Sequence, residues 1–157
     1  MEPATPPDGA TPDPSQEVPA AVPPVVLVLV AHNPGDWFRE TLSSIAAQTY
    51  PDLSVLVLDA GSDTDPTPLV AEVLPAAHVH RIADNPGFGP AVNQAVALVE
   101  GAAFYALCHD DIALEPDAIR ALVEEAFRSN AGIIGPKLVD WHEPRRLLQV
   151  EIGRAHV

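Results

Sequence analysis

Seven consecutive apolar residues, Val25-Val26-Leu27-Val28-Leu29-Val30-Ala31, constrain this chain more than any other stretch. They are rich in β-branched side chains and show no alternation of polar and apolar positions. A strand with one wet face would alternate, so this one is read as covered on both faces, the mark of a central strand in a parallel sheet. Parallel strands need crossover connections, and helices usually supply them. The run therefore predicts an α/β domain before any other residue is considered.

The rest of the chain follows that pattern. After His32-Asn33-Pro34-Gly35, Asp36 is placed to cap a helix whose apolar positions Phe38, Leu42, Ile45 and Ala46 recur at helical spacing. Gln48-Thr49-Tyr50-Pro51-Asp52 stops it. A second strand, Leu53 to Leu58, ends at Asp59 and enters the turn-rich loop Ala60-Gly61-Ser62-Asp63-Thr64-Asp65. Asp65 and Pro66 start a helix carrying Leu69, Val70, Val73 and Leu74. A short strand near Ala77 to Ile82 leads to Asn85-Pro86-Gly87-Phe88-Gly89, and Pro90 opens a helix with Val92, Ala95, Val96 and Val99 on one face. The strand Ala103 to Cys108 runs into His109-Asp110-Asp111, and a helix is predicted from about Pro116 to Arg128. Gly132-Ile133-Ile134-Gly135 reads as one more strand. Four rounds of strand and helix with short links predict a doubly wound, mostly parallel, Rossmann-like sheet with right-handed crossovers.

The two ends differ from this body. Residues 1–24 hold eight of the eighteen prolines, four acids and no base, which predicts a disordered, partly polyproline-like tail. Residues 151–157, Glu-Ile-Gly-Arg-Ala-His-Val, fit neither a core pattern nor a tail composition. The DNA GAG ATC GGA AGA GCA CAC GTC would encode them and contains a common short-read sequencing adapter, so this segment is expected to be non-native and residues 25–150 are taken as the domain.

Charge narrows the function. The net charge is -14, and between Tyr50 and Ile119 Arg81 is the only base. Such a surface repels nucleic acid and anionic lipid, and a phosphorylated ligand would need a divalent cation between itself and the carboxylates. Aspartates at strand tips then become candidates for holding one, because ligands of open α/β sheets sit beyond the carboxyl ends of the strands. The single cysteine, Cys108, excludes an internal disulfide, and no cysteine and histidine spacing suits zinc. With no basic residue before Arg39 and no apolar run near 20 residues, neither a signal peptide nor a membrane span is read in the chain. A cytoplasmic location is the expectation, on the cytoplasmic face of a membrane if the complete protein is attached to one. Gly87-Phe88-Gly89 matches a dinucleotide fingerprint only weakly, because Val92 stands where the third glycine belongs and the motif follows a late strand, and no phosphate-binding Gly-Lys-Ser or Gly-Lys-Thr occurs.

Four segments, in order, carry a resemblance. They are Val26 to Asn33 with the Gln48-Thr49-Tyr50 turn; Asp59-Ala60-Gly61-Ser62-Asp63-Thr64; Asn85, Gly87 and Asn93; and His109-Asp110-Asp111 ahead of Ile112, Leu114 and Pro116. Over Val25 to about Arg146 the chain resembles the N-terminal, nucleotide-sugar-binding portion of family 2 glycosyltransferases, which have the GT-A fold. The resemblance implies a fold truncated at its C-terminus and an enzyme moving a sugar from a nucleotide-diphosphate donor of the UDP or dTDP type to a glycan or lipid-linked acceptor, in cell-envelope or polysaccharide synthesis. It implies that Asp59 accepts the N3-H of the base and that His32 and Asn33 pack beside base and ribose. Asp84 or Asn85, together with Asn93, would border the nucleotide, Gly87 and Gly89 would let the backbone approach the sugar or diphosphate, and Asp110 would meet either ribose or the metal. Asp111, with His109, would hold Mg or Mn on the diphosphate. His109 departs from the family's Asp at that position. The family's general base and acceptor elements lie further along than these residues, so the fragment is expected to be inactive alone. A nucleotidyltransferase, or a nucleotide-binding module without turnover, is the alternative. The former would want a basic, glycine-rich loop, and His32 to Gly35 offers no base. A phosphoacceptor receiver domain would carry its acidic pair on the first strand, whereas here it follows the fourth.

Overall fold

The computed structural model describes residues 22–150. The elements run β1 (Val25–Ala31), α1 (Phe38–Ala46), β2 (Leu53–Ala60), α2 (Thr67–Val73), β3 (His78–Ile82), α3 (Phe88–Ala97), β4 (Phe104–His109), α4 (Ala118–Ser129), β5 (Lys137–Val139) and β6 (Leu147–Val150). β1 to β4 form one parallel sheet in the order β3-β2-β1-β4. The alternation read from the sequence is found through α4. The expected segments 1–24 and 151–157 lie, except for residues 22–24, outside the described residues.

β1 is central and buried along its whole length. Its residues divide between two layers. Val25, Leu27, Leu29 and Ala31 face a core with Phe38, Leu42 and Ile45 of α1, Val70 of α2, and Ile119 and Val123 of α4. Val26, Val28 and Val30 face the other core, built with Ala91, Val92 and Ala95 of α3. Both faces are covered, which is why no alternation was visible. Each fully buried Val or Leu contributes roughly 2 kcal/mol, so this strand is the anchor of the domain.

The Gln48-Thr49 turn is a structural clamp. The Gln48 side chain donates to the Glu115 carbonyl at 2.8 Å and accepts from the Ile119 N–H at 3.2 Å, while the Thr49 N–H reaches the Pro116 carbonyl at 2.8 Å. These bonds fix the start of α4 against the end of α1. At the entry to the sheet, Tyr50 donates to the Pro23 carbonyl at 2.7 Å and the Ala103 N–H to the Pro24 carbonyl at 2.9 Å.

Three expectations change. Asp36 does not cap α1: the helix opens on Trp37, itself helical, with no side-chain cap. α3 begins at Phe88 rather than Pro90, because Gly87 takes φ +90° as its N-cap and the missing N–H of Pro90 falls in the first turn, where no intrahelical partner is needed. Gly132 to Gly135 is not a strand. Its two glycines weaken extended pairing and Ile133 is exposed, whereas Lys137–Val139 finds an antiparallel partner in Leu147–Val150.

Candidate functional site

The parallel register brings the carboxyl ends of β1, β2 and β4 to one edge: Ala31 lies opposite Asp59, and Val30 opposite His109. From β1 the chain moves to β2 on one side and later to β4 on the other, so the crevice between the β1 and β4 tips is the switch point of the sheet. The His32–Asn33 loop links these tips. The His32 N–H donates to Asp110 Oδ2 at 3.0 Å, and its ring Nδ1 lies 2.7 Å from the Ala60 carbonyl, which can only accept, so Nδ1 carries the proton. Asn33 stands at φ +47°, a conformation asparagine tolerates. Its N–H donates to Ser62 Oγ at 2.8 Å and its side-chain oxygen accepts from the Asp63 N–H at 2.8 Å.

Asp59 is fully buried at the end of β2. Oδ1 accepts from the Ser62 N–H at 3.3 Å and Oδ2 from Arg81 Nε at 2.5 Å. Arg81 also donates to the Ser62 carbonyl at 3.0 Å and stands 3.4 Å from Asp65. Hydrogen bonding to Asp59 holds the guanidinium pKa above its ordinary value, and the Thr67 hydrogen bonds hold the Asp65 carboxyl below its own. Gly61 makes the turn possible: at φ +68° a Cβ there would come within 2.9 Å of the Ala83 carbonyl.

The acidic pair divides its labour. Asp110 is half-buried and tied to the His32 N–H, while its carbonyl accepts from Thr41 Oγ1 at 3.0 Å. Burial, chiefly, pushes its carboxyl pKa up, and repulsion from Asp111 adds to this. Asp111 is exposed. His109 stacks on Phe88. Asp84 and Asn85 are exposed after β3, with Asn85 Oδ1 accepting from the Gly87 N–H at 2.9 Å. Gly87 and Gly89 line open space, and Asn93 is exposed on α3 beyond them.

His32, Asn33, Asp59 and Asp110 are thus linked through one hydrogen-bond network, with His109 and Asp111 flanking it in the chain. Asp84, Asn85, Gly87, Gly89 and Asn93 follow on the β3–α3 side. The sequence reading assigned no role to Arg81, Ser62 or Thr41. Arg81 carried a signal all the same, as the single base in a long acidic region. Among the described residues no three His, Cys, Asp or Glu side chains stand together as a metal cluster, and no helix is long and apolar enough to cross a membrane.

Known proteins resemble this chain in sequence and fold. The family model for glycosyl transferase family 2 matches residues 26–148. An N-acetylglucosaminyl-diphospho-decaprenol L-rhamnosyltransferase of Mycobacterium tuberculosis is 31% identical over 126 residues, covering 73% of this chain and 41% of that protein. An uncharacterized glycosyltransferase of Rickettsia typhi is 30% identical over 90 residues, 57% of this chain and 28% of its own length. The chain thus spans less than half the length of these relatives. Among solved structures, a Pyrobaculum calidifontis mannosyltransferase in complex with GDP-Man and Mn2+ superposes with a TM-score of 0.63 at 25% identity, over 76% of this chain and 37% of that one. S. aureus TarS in complex with UDP gives 0.59 at 22% identity, over 69% and 33%, a likeness of fold. With its family model matched across nearly all of the described residues and its parallel sheet shared with these structures, the chain belongs to glycosyl transferase family 2.

Proposed function

We propose that these residues form the donor-binding portion of an enzyme that transfers a sugar from a nucleoside-diphosphate donor to an acceptor hydroxyl in cell-envelope or polysaccharide synthesis. The observation that carries the reading is the convergence of Asp59 with Arg81, and of Asp110 with Asp111, on loops joined by His32 and Asn33. In it, Asp59 and Arg81 offer an acceptor beside a donor. That pair complements the N3–H and C4 carbonyl of uracil or thymine, and equally the N1–H and O6 of guanine. Because Asp59 is covered, the base meets it only as the guanidinium shifts aside. His32 and Asn33 border the base and ribose, Asp110 the ribose, and Asp84, Asn85 and Asn93 the outer side of the nucleotide, with Gly87 and Gly89 leaving room for the diphosphate or sugar.

A divalent cation fits the donor set. Magnesium and manganese commonly take one or two carboxylates plus phosphate oxygens rather than a cage of protein ligands, and Asp111, with Asp110 beside it, supplies hard oxygen donors next to a crevice where Arg81 is already paired with Asp59. Held by Asp111 and Asp110, such a cation would supply positive charge against the departing diphosphate. Within the chain, Asp110 holds the β1 loop in place and Thr41 holds Asp110. Acceptor binding and the carboxylate that takes the acceptor proton are assigned to none of these residues, and the relative named for N-acetylglucosaminyl-diphospho-decaprenol favours a lipid-linked acceptor. Calorimetric titration with UDP, dTDP, GDP, CDP and ADP in the presence of manganese tests this. Binding of the keto-base nucleotides over CDP and ADP is expected, and no binding of any of them would refute it.

A further inference from the structure

Phe88 and His109 stack with ring centroids 3.8 Å apart and planes 15° from parallel. Phe88 is the first residue of α3 and His109 the last of β4, so the contact joins two elements at the edge where the site lies. The residues on either side of Phe88 are glycines, and a Cβ on Gly87 or Gly89 would meet nothing within 4 Å. The segment is therefore not wedged in place by its own neighbours. Its fixings are the Asn85 side chain, which accepts from the Gly87 N–H, the Ala91 N–H, which donates to the Gly87 carbonyl at 3.1 Å, and the ring of Phe88. That ring also packs against the α3 core layer, so it connects the core to His109. Strand alternation sends Cys108 into the opposite layer and leaves His109 on the α3 side. A carboxylate in its place has no ring to stack, so this histidine and Phe88 make sense as a pair.

We propose that His109 is a positioning residue, an aromatic clamp acting through Phe88 that holds Gly87-Phe88-Gly89 against the β4 tip beside Asp110 and Asp111, and not a ligand of the metal. The clamp's value to donor binding rests on the function proposed above, whereas its existence does not. The test uses the full chain with His109→Ala, His109→Phe, His109→Asp, Phe88→Ala and the double alanine variant. Hydrogen exchange of the Gly87 and Ala91 backbone amides, which donate to Asn85 Oδ1 and to the Gly87 carbonyl, is followed without nucleotide or metal. Both single alanine variants should exchange roughly three- to tenfold faster there, the double variant no faster than either, and His109→Phe like the wild type. His109→Phe keeps a stacking ring, so exchange in it as fast as in His109→Ala would overturn the clamp, as would unchanged exchange in both alanine variants. Titration with Mn2+ followed by electron paramagnetic resonance separates the second role. Affinity preserved in His109→Phe agrees with the proposal, and affinity lost there but kept in His109→Asp would make the residue a ligand. If the wild type binds no nucleoside diphosphate, the proposed function falls while the exchange comparison still decides the clamp.

Discussion

Arg81 donates through Nε to the fully buried Asp59 carboxylate at 2.5 Å, and so closes the carboxyl end of β2 with a side chain from β3. The acid depends on that partner. A buried carboxylate that loses a hydrogen bond is costly, whereas the guanidinium is partly open to water and loses less.

Asp59→Ala is expected to destabilise the domain by about 2 kcal/mol and, where the fold survives, to weaken uridine nucleotide binding by about 1 to 3 kcal/mol. Arg81→Gln should lower the melting temperature and weaken the same nucleotides. Thermal melts paired with calorimetry separate the two effects. Unchanged affinity in a folded Asp59→Ala would remove Asp59 from the site.

The Gln48 side chain bridges α1 to the start of α4 with two hydrogen bonds across the chain. Gln48→Ala is expected to cost about 1 to 2 kcal/mol, and Gln48→Glu, which cannot donate to the Glu115 carbonyl, a similar amount. Urea titration measures both. Wild-type midpoints would show that the bridge is dispensable.

Burial of Cys108 pushes its thiol pKa up to about 12 from 9.0. Above pH 9 the unfolded chain releases this proton while the fold retains it, so the native state binds more protons and stability falls as pH rises. The slope approaches roughly 1.4 kcal/mol per pH unit from this group between about pH 9 and 12. Cys108→Ala should flatten that part of the profile, and at pH 8 iodoacetamide should label the wild type only as fast as it unfolds. Rapid labelling of the native protein would contradict the burial.

Pro23 and Pro24 are tied to Tyr50 and to the start of β4 through their carbonyls. Removal of residues 1–21 is therefore expected to leave the melting temperature unchanged, and extension of the cut through Pro24 to lower it. A large loss from the shorter cut would show that the proline-rich segment contributes to the fold.

Much of this fold is legible in the residues because burial leaves a strong trace. Val25 to Ala31 announces a strand covered on both faces, and the helix periodicities place α1 to α4 within a few residues. Asp59, Asp110 and the His32-Asn33 pair are legible as candidates because polar residues ending apolar strands converge in any parallel sheet. The partner choices are not. That Arg81 would cover Asp59, or that His109 would stack on Phe88, depends on which strand lies beside which and on side-chain direction at the tips, and local pattern encodes neither. The strand at Lys137 to Val139 was missed for a related reason, since three exposed residues form a strand only because Leu147 to Val150 lies opposite. Asp36 looked like a cap from its type alone, yet the turn at Trp37 enters the helix without one.

The central claim is that this acidic crevice holds a nucleoside diphosphate by recruiting a cation through Asp111, with Asp110 at its side. Calorimetric titration of UDP and dTDP into the chain, with and without manganese, and again with Asp111→Asn, tests it most directly. Binding that appears with manganese and is lost or strongly weakened in both the metal-free protein and the variant is the predicted result. Binding of equal strength in all three would contradict the account.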